Sequence, residues 1–264
     1  MQTFFTYPNI DPIALSIGPL DIRWYGISYV VGIVGGWLLA RLYIEKFSIP
    51  ITRKQFDDFI TYLVLGVVIG GRLGYVLFYD PTHHLSHPLD IFKTWQGGMA
   101  FHGGLIGVII AVIIFCKRNN VKILTLLDLL APIAPLGLFF GRIANFINAE
   151  HFGRATDSAL GMVFPNGGSI PRHPSQLYEA ALEGVFLLAF MTFVLHKTRK
   201  PIGSGFLCGL GLIGYAIARS VSEFFREPEV FIGLEPLTYG QLLSTPMVMA
   251  GMYLLYRARA AKES

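Results

Sequence analysis

Polar residues interrupt this chain at wide intervals and leave seven apolar runs, at 24–42, 59–79, 99–116, 123–140, 177–195, 203–225 and 239–256. Most approach the roughly 20 residues that a helix needs to cross a bilayer, so each predicts a transmembrane helix. The expected fold class is an all-α polytopic membrane protein, with residues 1–264 forming a single integral membrane domain. The gap at 145–176 is the longest, and it carries Pro165-Asn-Gly-Gly168, Pro171 and Pro174. Such turn residues predict a small irregular outer, periplasmic domain between helices four and five.

Composition strengthens the membrane reading. The chain is 53% hydrophobic and 14% charged, with mean hydropathy +0.54, too apolar for a core inside a polar shell. A net charge of +4 could suggest a nucleic-acid partner. The basic residues, however, sit in short clusters beside apolar runs, which fits anchoring to anionic membrane lipid and argues against nucleic acid. Of the 21 Lys and Arg, 13 fall at the end of run one, in the gaps after runs one, three and five, or in the C-terminal tail. By the positive-inside rule the C-terminus is expected in the cytoplasm and the N-terminus outside. No Lys or Arg precedes Arg23, so no basic signal-peptide region is expected, and insertion would rest on the helices themselves. Cys116 and Cys208 lie in apolar context without further ligands nearby, which predicts neither a disulfide framework nor a metal motif.

The candidate chemistry lies where charge meets hydrocarbon. In the expected orientation Tyr25, Arg72, His102, Arg142 and Arg219 all fall toward the outer face. A guanidinium in a span costs at least about 2.5 kcal/mol and cannot escape by losing its proton, so each arginine needs an anion. Glu223 lies one turn beyond Arg219, and Glu150 eight residues after Arg142, so internal pairs are available. Arg72 has no acid in the outer half of its own helix. A phosphate would satisfy the surplus cation through bidentate contacts. Tyr215, Arg219 and Glu223 follow at i, i+4 and i+8 and share one helix face, directed into the bundle.

His102 opens the third run beside Gly103 and Gly104, and an imidazole there suits proton transfer near neutrality. The two glycines would also let a ligand approach the backbone. The remaining glycine pairs four apart, such as Gly66/Gly70/Gly74 and Gly137/Gly141, read as helix packing. His83, His84 and His87 read as a loop cluster in preference to a metal site. Ser175 and Glu179 suit a helix N-cap and a favourable dipole contact, which leaves His173, Gln176 and Tyr178 to line a polar mouth. Asn145, Asn148 and Glu150 either contact a headgroup or satisfy one another.

Six blocks carry a family resemblance: Trp24-Tyr-Gly26, Gly70-Gly-Arg-Leu-Gly-Tyr75, Phe101-His-Gly-Gly-Leu105, the run from Gly141 through Arg142, Asn145, Asn148 and Glu150 to Gly153, His173-Pro-Ser-Gln-Leu-Tyr-Glu179, and Arg219-x3-Glu223. Together they resemble the prolipoprotein diacylglyceryl transferase family of bacterial membrane enzymes. The resemblance implies a seven-helix protein of the bacterial inner membrane that moves the diacylglyceryl group of phosphatidylglycerol onto the lipobox cysteine of a prolipoprotein signal peptide. It implies catalytic roles for His102, Arg142 and Arg219. It also marks Tyr25, Asn145, Glu150, Gly153, Tyr215 and Glu223 as positions of functional interest. No cofactor or metal is expected. A transporter of anionic lipid also needs buried arginines, but it would favour polar groups through the whole depth and a repeat between halves. A phospholipid phosphatase would need a nucleophile or metal motif beside the arginines.

Overall fold

The computed structural model describes residues 5–18, 20–198, 202–227 and 238–260. In chain order its elements are β1 (Phe5–Thr6), β2 (Ile13–Ile17), β3 (Leu20–Arg23), α1 (Trp24–Lys46), α2 (Arg53–Phe78), α3 (Pro81–Ser86), α4 (Phe101–Asn119), α5 (Ile123–Leu130), α6 (Ala134–Ile147), β4 (Met162–Val163), α7 (Ser175–Lys197), α8 (Phe206–Glu223) and α9 (Tyr239–Ala260). They fall into two compact units, one formed by Met1–Ala40 with Leu127–Ser264 and the other by Arg41–Leu126. Of the basic residues used above for orientation, Arg199, Lys200 and Lys262 lie outside the described residues.

Helix dominates, and among the described residues four helices are long and apolar enough to cross a membrane: α1, α2, α4 and α7. The pair α5 and α6 passes the same test together and is bent by 48°. The bend follows from the chain: Pro132 lies in the break and Pro135 in the first turn of α6, and neither ring nitrogen can donate to a helical ladder. Residues such as Leu42, Leu73, Leu77, Ile106 and Ile110 expose half their surface or nearly so, which hydrocarbon rather than water would solvate. The expected runs at 203–225 and 239–256 also form helices, α8 and α9, of 18 and 22 residues. These two carry more polar and helix-weakening residues, including Pro246 inside α9, and fall outside the four.

In the second unit α2 begins with a reciprocal cap. The Thr52 hydroxyl accepts the Gln55 amide at 3.1 Å, and the Gln55 side chain accepts the Thr52 amide at 2.9 Å. Helix α2 then packs on α4 through Gly66, Gly70 and Gly74 against Gly103 and Gly107. A Cβ at Gly74 would sit 2.7 Å from the Gly103 Cα, and one at Gly66 2.7 Å from the Gly107 carbonyl oxygen. Side chains there would drive the helices apart, so small residues set the contact. Gly103 therefore belongs with the packing glycines, because its Cα rests on α2, whereas Gly104 has ordinary space around it.

In the first unit short strands appear that the apolar runs do not announce. Strand β2 pairs antiparallel with β3, and β1 pairs in parallel with β4, which brings residues 5–6 to 162–163. Tyr7 anchors this arrangement, donating its hydroxyl to the carbonyls of Phe146 and Ile147 at 3.0 and 2.6 Å. Its ring joins Ala149 and Phe164 in a small core flanked by Phe146, Phe152 and Met162. The irregular segment 145–176 thus has an apolar centre of its own. Deeper in the unit, Asp128 on α5 is almost fully buried and accepts the amides of Gly203 and Gly205 at 2.9 and 3.0 Å on one oxygen and that of Cys208 at 2.9 Å on the other. A side chain from α5 thereby satisfies the orphan amides that open α8.

Candidate active site

Three arginines and three glutamates gather in the first unit. Arg142, in the second half of α6, donates Nε and Nη2 to Glu183 Oε2 at 3.2 and 3.0 Å, while its Nη1 lies 3.1 Å from Glu179 Oε2. Arg219 on α8 donates Nη1 to Glu179 Oε1 at 3.0 Å, and its Nη2 lies 2.7 Å from Glu223 Oε2. Arg226, just past α8, donates Nη1 to the same Glu179 oxygen at 3.1 Å. One fully buried carboxylate therefore meets guanidinium groups from three places in the chain. The start of α9 closes against this cluster: a Cβ at Gly240 would lie 2.7 Å from Glu223 Oε2 and 3.0 Å from Arg219 Nη2.

Helix geometry explains the convergence. Glu179 and Glu183 stand four residues apart and point the same way, toward α6. The stretch Ala180–Phe186 winds as a π-helix, a departure common where function fixes side-chain directions. Two acids inside one apolar run are costly unless cations meet them, and Arg142, Arg219 and Arg226 do so.

The pairing differs in part from the expectation. Arg219 does pair with Glu223, but Arg142 pairs with Glu183 and Glu179, and Glu150 instead accepts the Asn145 amide at 2.9 Å. Of the two alternatives for Asn145 and Glu150, mutual satisfaction is what the geometry contains, while Asn148 closes α6 with its backbone amide on the Ala144 carbonyl. Ser175 does not cap α7, since its hydroxyl donates to the His151 carbonyl at 3.0 Å. Glu179 is the hub of the cluster, beyond any dipole role. The signal for it was present: Glu179 and Glu183 are acids at helical spacing at the start of a hydrophobic span.

Around the cluster the chain turns sharply. Ala149 and His151 both have positive φ, 52° and 56°, uncommon for residues with a side chain. Gln176 Nε2 holds the Glu150 carbonyl at 2.7 Å, and Arg226 Nη2 lies 3.3 Å from His151 Nδ1. Gly153 is buried where a Cβ would collide with the Phe225 carbonyl and with His173, so its need for hydrogen is steric. His173 places Nδ1 3.2 Å from the Tyr178 hydroxyl and packs against Phe225; burial pushes its imidazole below the ordinary histidine range. Tyr215 lies half-buried one turn before Arg219, and Tyr25 is half-buried near the start of α1 with its ring 5.4 Å from that of Tyr29.

The second unit holds His102, Gly103, Gly104 and Arg72. His102 is exposed as the second residue of α4. Arg72 is buried, and backbone oxygens compensate its charge: Nε donates to Ile91 at 2.9 Å, Nη1 to Gly97 and Gly98 at 2.7 and 3.1 Å, and Nη2 to Asp90 at 2.5 Å. His84 Nε2 lies 3.4 Å from Nη2. These backbone carbonyls satisfy the donors of Arg72, which ties down the 84–98 loop. Nearby, His83 lies 3.1 Å from Asp90, whose carboxyl Lys93 and His83 hold below the usual carboxylate range.

These features define a class: a polytopic membrane protein that carries an arginine–carboxylate cluster. The chain belongs to the prolipoprotein diacylglyceryl transferase family, whose model matches residues 12–257. It is 54% identical over 255 residues to the phosphatidylglycerol–prolipoprotein diacylglyceryl transferase of Rickettsia felis, covering 95% of this chain and 97% of that one. The proteins of the same name from Rickettsia bellii and Rickettsia conorii are 50% and 52% identical, covering 96% and 95% of this chain and 97% of each relative.

Proposed function

We infer that this chain transfers the diacylglyceryl group of phosphatidylglycerol to the lipobox cysteine thiol of prolipoproteins, forming a thioether and releasing glycerol phosphate in the first step of bacterial lipoprotein maturation. The names of relatives at half identity over nearly the whole chain support the reaction. The observation that carries the site is the convergence of Arg142, Arg219 and Arg226 on Glu179. Guanidinium forks brought together inside an apolar protein suit a phosphodiester, and they stabilise the charge that grows on the departing phosphate.

In this reading a seven-span protein of the inner membrane is built from α1, α2, α4, the bent pair α5 and α6, α7, α8 and α9. Its N-terminus faces outward and its C-terminus the cytoplasm, and segment 145–176 lies on the periplasmic side. The basic residues after alternate spans support this orientation. The acceptor thiol, with an ordinary pKa near 8.5, is only a few per cent ionised at neutral pH and needs a base. His102 takes that proton. The thiolate attacks the glyceryl carbon that bears the phosphate ester, the C–O bond breaks, and its electron pair leaves on the phosphate oxygen. Arg142 and Arg219 hold the donor phosphate. Tyr25, Gly104, Asn145, Asn148, Glu150, His173, Tyr215 and Glu223 shape the substrate site or orient its arginines, whereas Gly103, Gly153 and Arg72 serve its framework.

The test is mass spectrometry of a lipobox peptide incubated with the purified protein and phosphatidylglycerol. The expected product has gained a diacylglyceryl group through a base-stable sulfur–carbon bond, with glycerol phosphate released. An unmodified peptide, or a base-labile thioester, would overturn the reading.

A further inference from the structure

Among the described residues the charges of the cluster already balance before any lipid is considered. Arg142, Arg219 and Arg226 face Glu179, Glu183 and Glu223, and widening the circle to Arg154 and Glu150 adds one charge of each sign. A phosphodiester entering here brings a further negative charge into a buried place, where like charges interact strongly. Either a carboxylate must leave or one must be neutralised. Glu179 cannot release easily, since it holds three guanidinium groups, and Glu223 is bound to Arg219 at 2.7 Å. Glu179 Oε2 and Glu223 Oε2 accept no hydrogen bond among the described residues but each faces an arginine nitrogen, at 3.1 and 2.7 Å. Glu183 differs: both bonds from Arg142 fall on its Oε2, and its buried Oε1 has neither a hydrogen bond nor an ion pair among the described residues. That oxygen has room in its bonding for a proton. The groups facing Glu183 are Arg142 from α6, Glu179 from its own helix, and Arg219 and Tyr215 from α8.

We propose that Glu183 takes up a proton when the donor phosphate enters the cluster and passes it to the glycerol phosphate as that group leaves. This rests on the phosphate-binding reading above. The balance is complete: one proton enters from solvent on binding and ends on the new phosphate monoester, while the thiol proton leaves through His102. Glu183 returns to a carboxylate and restores the charge match for the next cycle. The phosphate departs as a monoanion, so the cluster never holds two added negative charges.

The experiment is titration calorimetry of the detergent-solubilised full-length protein with short-chain phosphatidylglycerol, in buffers of different ionisation enthalpy at one neutral pH. The wild-type protein should take up about one proton per lipid bound, and Glu183→Gln should bind the lipid with uptake near zero. Diacylglycerol, which lacks the phosphate, should give no uptake with either protein. Lipid binding by wild-type protein without proton uptake would overturn the proposal and leave the phosphate reading standing, and it decides the matter even if the glutamine variant fails to fold. Equal uptake by Glu183→Gln would also overturn it. Failure of wild-type protein to bind phosphatidylglycerol more tightly than diacylglycerol would remove the phosphate reading, and with it this one.

Discussion

Glu179 Oε1 receives Arg219 at 3.0 Å across 40 residues of sequence, and the same oxygen receives Arg226 at 3.1 Å. Removing this charge should therefore disturb more than one arginine. Glu179→Gln is expected to destabilise the protein by about 3 kcal/mol, because three guanidinium groups lose a buried partner. Thermal unfolding in detergent reads the loss, and transferase activity should fall at least as steeply as in either arginine variant. Wild-type stability in Glu179→Gln would show that the hub is dispensable.

Arg142 and Arg219 separate charge from shape. Lysine at either position keeps one positive charge and loses the planar fork, so transfer should drop by about 10-fold; alanine should cost about 10³-fold. Initial rates on a lipobox peptide measure both. Alanine variants that insert normally and keep most of their activity would make these arginines purely structural.

His102 should affect turnover and spare donor binding. General-base catalysis contributes about 10² or more, so His102→Gln should lose that factor in kcat while its affinity for phosphatidylglycerol stays within about two-fold. Near-normal turnover at neutral pH would remove His102 from the proton path.

Orientation can be read with a reporter. Fused after Ser264, an enzyme active only in the periplasm should stay silent and one active only in the cytoplasm should work. The opposite pattern would invert the proposed topology.

Much of this arrangement was legible from residue order. The apolar runs place the helices, because hydrocarbon length imposes its period directly on sequence. The stripe Tyr215, Arg219 and Glu223 is a local pattern, and its ion pair is present at 2.7 Å. The partners of Arg142 were not legible in the same way: the nearest acid in sequence, Glu150, turns toward Asn145, while the acids that do meet Arg142 arrive on α7. Proximity along a chain favours neighbours that tertiary packing is free to replace. The pairing of β1 with β4 left no trace either, since strands of two residues are too short to show alternation. Gly103 was ambiguous because a packing glycine and a ligand-approach glycine look alike until the opposing helix is known.

The carboxylate of Asp128 bears on how the molecule is assembled. It accepts the amide of Gly203 across 75 residues of chain, and it also holds the amides of Gly205 and Cys208 at the opening of α8. In a chain made from its N-terminus, α5 exists before those amides do, and in the proposed seven-span arrangement its acid waits there without these partners. The arrival of α8 discharges that debt and docks the helix that carries Arg219 in one event. Formation of the arginine cluster is thereby tied to a late step of synthesis, and a chain stopped before residue 203 would leave the Asp128 carboxylate without these three amides.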